Sequence, residues 1–358
     1  MKANRFVLFL ALALGALFLS ACGTPVSASW PGLAASEEAA YLATGPYVYA
    51  VRLEDGEELW RFPEKADGKL QFYSNPVLTN DGLVLLGSSG TGHNFIAVDA
   101  ETGNEDWSFT GAQGAWQASP LVVDNFIYAP NTDGFLYVFD LNIEGDDKLA
   151  WSLELDGPLW AMPATDGQYI YVTSLDHRLH AVDPQTGSVA WTLELDGAAP
   201  GTPAVDADGM LFVGTFGKSI QAVDTSRRAI AWSIPTEGWV WGGPLRVDDV
   251  LYVGDLEGNF YSFNSSGKPD GEQFQPDGPI LASPLVIGEQ VIFVTENGTV
   301  YAAENGTDPK SLEKMEGKLY TAPVAAGDLI LVAPFQGEFL LVALDQQGKQ
   351  AWTFTPGN

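Results

Sequence analysis

The side chains able to do chemistry are few. The chain has three histidines, His93, His177 and His180, and one cysteine, Cys22. His177 and His180 form an H-x-x-H pair, a spacing that can bring two imidazoles to one metal. Here Leu175-Asp176-His177-Arg178 reads as a turn and His180 falls in the strand after it, so the rings are not expected to converge and no metal site is assigned. A lone cysteine can form neither an intramolecular disulfide nor a thiolate cluster. No G-x-S-x-G elbow and no G-x-x-x-x-G-K phosphate loop is present. Asp206-Ala207-Asp208-Gly209 lacks the spaced ligands and terminal glutamate of a calcium loop and reads as a hairpin turn.

Aromatic residues are plentiful instead: 11 Trp, 12 Tyr and 19 Phe. They fall into two sets. One lies just before a recurring proline: Tyr73, Trp116 with Gln117, Trp160, Trp241 with Trp239 close by, and Tyr320, with Pro200 and Leu281 at the matching places. The other marks the last strand of each unit: Trp60, Trp107, Trp151, Trp191, Trp232, Phe274 and Trp352. Rings gathered at a surface depression can hold an apolar peptide, stack on a sugar or grip a flat ring. Rings on such a strand can dock one layer of structure on the next, each burying about 150–250 Å².

The elements that position both sets follow from the proline spacing. Pro31, Pro76, Pro120, Pro163, Pro203, Pro244, Pro284 and Pro323 stand 45, 44, 43, 40, 41, 40 and 39 residues apart. The third unit shows the layout: Leu121-Val122-Val123, Asn125-Phe126-Ile127-Tyr128, the turn Asn131-Thr132-Asp133-Gly134, Phe135-Leu136-Tyr137-Val138-Phe139, and Leu149-Ala150-Trp151-Ser152-Leu153. Short strands joined by Asn- and Gly-bearing turns are antiparallel hairpins, and four of them per repeat make a propeller blade. The 39 Gly, 22 Pro and only 18% charged residues suit such a chain better than long solvated helices. The expected fold is all-β, an eight-bladed β-propeller of four-stranded antiparallel blades. Residues 31–358 then form one ring, although the length of 358 residues alone would allow about two domains. In such a ring the residues before each proline lead into the innermost strands, which puts Tyr73, Trp116, Trp160, Trp239, Trp241 and Tyr320 at the channel mouth. The loop over residues 87–94 on the same face is a further contact candidate.

The segments Ala97-Val98-Asp99-Ala100-Glu101-Thr102-Gly103 to Trp107 and Ala181-Val182-Asp183-Pro184-Gln185-Thr186-Gly187 to Trp191 resemble the A-x-D-x-x-T-G-x-x-x-W repeat of the PQQ-like, or quinoprotein-type, propellers. In the fifth unit Ser226-Arg227 is read at the place of Thr-Gly, the eighth unit is one residue shorter, and the seventh, Ala302-Ala303-Glu304, lacks the tryptophan. Trp60, Trp107, Trp151, Trp191, Trp232 and Trp352 are expected to be structural docking residues.

At the N-terminus Lys2 and Arg5 precede an apolar run from Phe6 to Leu19, too short for a comfortable transmembrane helix. The following Leu19-Ser20-Ala21-Cys22 resembles the lipobox of bacterial lipoproteins, which implies a signal peptide over residues 1–21 and a lipidated Cys22. Residues 22–30 are then the lipidated N-terminus and tether. Gly23 after Cys22 differs from the aspartate of the inner-membrane retention signal. The expected location is the bacterial cell envelope, lipid-anchored and extracytoplasmic: the outer membrane where there is one, otherwise the outer face of the cytoplasmic membrane.

Acidic residues outnumber basic ones 46 to 17, a formal charge of −29 that becomes −31 when residues 1–21 take Lys2 and Arg5 with them. Such a surface repels phosphate backbones, so nucleic acid is excluded as a general partner. The lipobox together with the repeats resembles the BamB family, lipoprotein propellers of the outer-membrane barrel assembly machine. The resemblance implies a non-catalytic scaffold whose partner is a protein or client polypeptide, with the membrane engaged through the lipid and no cofactor or metal. Two alternatives stay open: a small-molecule or glycan receptor using Trp116, Trp160, Trp239 and Trp241, and a PQQ-dependent dehydrogenase. Against the latter stand the missing adjacent cysteine pair and the absence of an assignable His, Arg and Asp set.

Overall fold

The computed structural model describes residues 30–304 and 306–357; Cys22 and the leader before it lie outside the described residues. The described chain is all β, with eight antiparallel sheets in sequence order. Blade 1 is typical: strands Gly32–Ala35, Ala39–Thr44, Tyr47–Arg52 and Glu58–Phe62 pair side by side in chain order. First strands of neighbouring blades touch where blades 7 and 8, 8 and 1, and 4 and 5 meet, which marks them as the inner wall of the ring. No helix among the described residues is long and apolar enough to cross a membrane.

Strand alternation sends one face of each blade against the blade before and the other against the blade after, so the core is a series of inter-blade clusters rather than one centre. One such cluster joins Tyr41, Val48 and Trp60 of blade 1 to Val84, Ile96 and Val98 of blade 2. Closure uses the same device. Leu33, Leu42 and Val51 of blade 1 pack with Leu331, Leu341 and Trp352 of blade 8, with no strand exchanged between the two ends.

The repeat motif explains itself at these junctions. In most blades the leading side chain closes the turn between third and fourth strands: Asp99 Oδ1 accepts from the Thr102 amide and hydroxyl, at 2.8 and 2.6 Å. The turn's glycine takes a left-handed conformation and lies flat against the tryptophan of the preceding blade. Gly103 does so on Trp60, Gly187 on Trp151, Gly267 on Trp232 and Gly56 on Trp352. The indole N–H then donates to the carbonyl just after the turn's leading residue: Trp60 to Ala100, Trp232 to Ser265 and Trp352 to Leu53, at 2.7–3.0 Å. Trp107 faces the irregular turn of blade 3, and its indole nitrogen has no partner.

Three irregular units are resolved by the structure. In the fifth, the Thr-Gly positions fall one residue later than the spacing reading placed them, on Arg227-Arg228. Asp224 Oδ1 accepts from the Arg227 amide at 2.9 Å, and Arg228 adopts the left-handed φ of 55°. In the seventh, strand Thr307–Lys314 supplies no tryptophan, and Leu312 lies against Gly348 of blade 8 instead. The sixth departs from the expected four strands: its sheet has three, ending at Phe260–Asn264. The fourth place is held by bridges from Pro269 and Phe274. Pro269 has no N–H to give a ladder, and Gly271 at φ 108° bends the chain away. Phe274 still docks edge-on against Phe293 and Tyr301 of blade 7.

Candidate functional site: an aromatic funnel on the propeller axis

The segments entering the innermost strands converge on the axis and enclose a cavity of about 240 Å³ that opens into an aromatic mouth of about 500 Å³. The mouth is lined by Trp30, Tyr73, Gln117, Trp160, Pro200 and Trp241. Leu281 and Tyr320 complete the ring below it.

Which side chain faces the axis follows from alternation along an extended segment. The residue three before each proline points in: Tyr73, Gln117, Trp160, Pro200, Trp241, Leu281 and Tyr320. The residue four before points into the inter-blade core, and there Phe72, Trp116, Leu159, Ala199, Val240, Ile280 and Leu319 are all buried. Trp116 therefore does not belong to the mouth. It is fully buried against Phe95 and Tyr137, and its indole donates to the His93 carbonyl at 2.8 Å. That bond helps pin the loop over residues 87–94, which is held further by Ser89 donating to the Gln71 carbonyl at 2.7 Å. A Cβ on Gly90 would run into the Lys69 carbonyl, so this loop lies tight against its neighbour.

Trp239 stands on the rim, half exposed and stacked on Phe216 at 5.1 Å. Phe216 also meets Trp241 at 5.3 Å, and Trp241 meets Trp160 at 6.2 Å, so four rings run in contact from rim to axis. Two members were missed in the sequence. Phe216 lies in a turn far from any proline. Trp30 directly precedes Pro31, so it stands two residues nearer its proline than the other axis-facing residues, and the common offset of three would have pointed to Ala28.

The funnel wall is stiffened where carboxylates tie entering loops to neighbouring turns. Asp196 accepts from Thr215 and Ser219, at 2.7 and 2.6 Å. Asp277 accepts from Thr295, Thr299 and Lys314, at 2.6–2.7 Å. Burial raises the Asp277 carboxyl, yet the bonds from Lys314, Thr299 and Thr295 outweigh it and hold it below the usual carboxylate range. Glu296 is depressed chiefly by its bond to Lys318 and also accepts from the Tyr320 hydroxyl at 3.1 Å. Tyr320 is thereby fixed, with Lys318 over its ring at 5.7 Å.

The described lining contains no carboxylate, His, Lys or Arg. The funnel can therefore grip apolar and aromatic groups and hydrogen-bond through Ser74, Asn75, Gln117, Ser119, Thr202 and Ser283, but holds no acid–base pair. Pyrroloquinoline quinone, a flat ring bearing three carboxylates, does not fit a wall without a cation. His177 is exposed in its turn, whereas His180 is buried with Nδ1 3.1 Å from the Thr192 hydroxyl, so the two rings occupy different environments. Asp206 closes a hairpin turn, accepting from the amides of Asp208 and Met210.

These features define an eight-bladed propeller with an aromatic funnel on one face. The chain belongs to the family described as outer membrane protein assembly factor BamB, whose profile matches residues 44–146 and 142–239. Among solved structures it is similar to BamB from Moraxella catarrhalis, with a TM-score of 0.71 and 18% identity over 87% of this chain and 94% of that one. It is equally similar in fold to the computationally designed Ika8 protein, with a TM-score of 0.75 and 14% identity over 90% of this chain and 98% of that one. At these identities the likeness is one of fold. No curated protein matches the chain.

Proposed function

We propose that this chain is a lipoprotein anchored through Cys22 on the extracytoplasmic side of a bacterial membrane, and that it serves as a non-catalytic scaffold in outer-membrane protein assembly. Residues 1–21 act as its signal peptide, residues 22–30 as its tether and the remainder as the interaction domain. Family membership supports the assembly role. The observation that carries the scaffold reading is the funnel: a rigid aromatic mouth with polar groups below it, suited to an apolar or aromatic segment of a polypeptide and lacking any titratable pair for catalysis.

The test is crosslinking in native membranes followed by pull-down, comparing wild type with Trp160→Ala/Trp241→Ala. The wild type captures a reproducible polypeptide partner and the double variant loses it while keeping its melting temperature. Unchanged capture by the folded variant removes the funnel from the interaction. A sugar or other soluble ligand that raises the melting temperature of wild type but not of the variant overturns the scaffold reading in favour of a receptor.

A further inference from the structure

The described chain begins inside the funnel. Trp30 stacks on Tyr320 at 4.9 Å and 23°, meets Trp241 edge-on at 5.7 Å, and leads directly into the innermost strand of blade 1. Eight peptide steps separate it from Cys22, a reach of about 26–29 Å when fully extended.

We infer that the funnel face is the membrane-facing surface of the propeller. With Trp30 in the funnel mouth and only eight peptide steps back to Cys22, the lipid holds that mouth within about 30 Å of the bilayer. The inference rests on the lipoprotein reading above.

Reach decides between the two faces. To bring the opposite face to the bilayer, the tether has to cross a blade from first to fourth strand, three gaps of about 4.8 Å, and then run the height of the disc, about 17–20 Å for a strand of five or six residues. That is about 31–34 Å before turns, side chains and the width of the funnel are added. The tether is shorter.

A polypeptide that uses the funnel therefore engages it in the gap between disc and bilayer, as a membrane-proximal segment.

The single cysteine makes the test clean, because lipidation consumes the only native thiol. Lipidated protein carrying one added cysteine, Lys69→Cys or Glu257→Cys on the funnel face and Asn80→Cys or Asp328→Cys on the other, is spin-labelled. It is then reconstituted in phosphatidylcholine vesicles that display a nickel-chelating lipid. Relaxation by nickel is expected at the two funnel-face labels and lost at the two opposite labels, where it should match nickel-free vesicles. Equal relaxation at all four, or stronger relaxation on the opposite face, overturns the orientation. Intact mass keeps the two readings apart: a mature chain without a diacylglyceryl addition overturns the lipoprotein reading and the orientation with it, whereas a lipidated chain with the wrong label pattern overturns the orientation alone. Doubling the tether with a Gly/Ser insert between Thr24 and Pro25 is expected to erase the difference between faces, and a difference that survives overturns the tether as its cause.

Discussion

Ring closure is the most exposed claim about stability, because blades 8 and 1 are joined without a shared strand. Trp352 is the centre of that junction. It is 8% exposed, donates to the Leu53 carbonyl at 2.7 Å, and has Gly56 lying on its ring at a φ of 78°. A Cβ added to Gly56 would stand 2.8 Å from Cε3 and 3.0 Å from Cδ2 of the indole. Burial of a tryptophan removes about 150–250 Å² from water, worth about 4–6 kcal/mol at 25 cal/mol per Å² as an upper bound. Core truncations of this type cost about 3–5 kcal/mol, which at roughly 2 °C per kcal/mol lowers the melting temperature of Trp352→Ala by about 6–10 °C.

The discriminating measurement is a double-mutant cycle with Gly56→Ala. Gly82 provides the reference: it has φ 85° with nothing within 4 Å of its Cβ position, so Gly82→Ala reports the left-handed backbone cost alone, about 1–2 kcal/mol. Gly56→Ala adds the collision with the indole and is expected to cost about 1–3 kcal/mol more than Gly82→Ala in the wild-type background. In the Trp352→Ala background the excess disappears, leaving a coupling energy above about 1 kcal/mol by chemical denaturation. If Gly56→Ala costs the same in both backgrounds, the glycine serves only its turn and the docking account of the repeat motif is wrong.

Other outcomes follow from the same geometry. Trp116→Ala should cost about 3–5 kcal/mol in thermal or chemical denaturation, whereas Trp160→Ala, at the open mouth, should leave the melting temperature nearly unchanged; the reverse order would contradict the inward and outward alternation of the entering segments. His180 is held below the usual histidine range, first by burial, with Asp176 and Asp156 opposing. The unfolded chain thus takes up a proton near pH 6.5 that the folded chain refuses until lower pH, so stability is lost as pH falls below that value. The urea midpoint of wild type should drop more between pH 7 and pH 5.5 than that of His180→Gln, and parallel slopes would remove His180 as the cause. Asp277 is depressed despite its burial, so its contribution is present above the unfolded carboxylate value and is lost as pH falls through the folded one. Lys314→Met should therefore move the acid-unfolding midpoint to higher pH, read by tryptophan fluorescence.

The ring was legible in the sequence because each blade is local. Proline spacing, hairpin turns and the Asp-to-Trp interval all lie within some 45 residues, and a structure built from nearest-neighbour contacts repeats its signature in the chain. The axis-facing set was legible to the same degree: Tyr73, Trp160, Trp241 and Tyr320 stand at one offset from their prolines and meet at the mouth. Trp116 was misplaced by a single residue, and in an extended segment one residue reverses the direction of the side chain. The missing fourth strand of blade 6 was hidden because Phe274 keeps the spacing of a blade marker while Pro269 and Gly271 prevent the ladder before it.

What the sequence by itself determined is therefore the number of blades, the class of fold and the acidic composition, all properties of residue type and local order. Only the tertiary structure decided which rings share the funnel. Trp30, Phe216, Trp241 and Tyr320 are separated by up to 290 residues, yet Trp30 stacks on Tyr320 and meets Trp241, which Phe216 meets in turn. Closing the ring brings its two ends to one axis, and no pattern within a single repeat contains that contact.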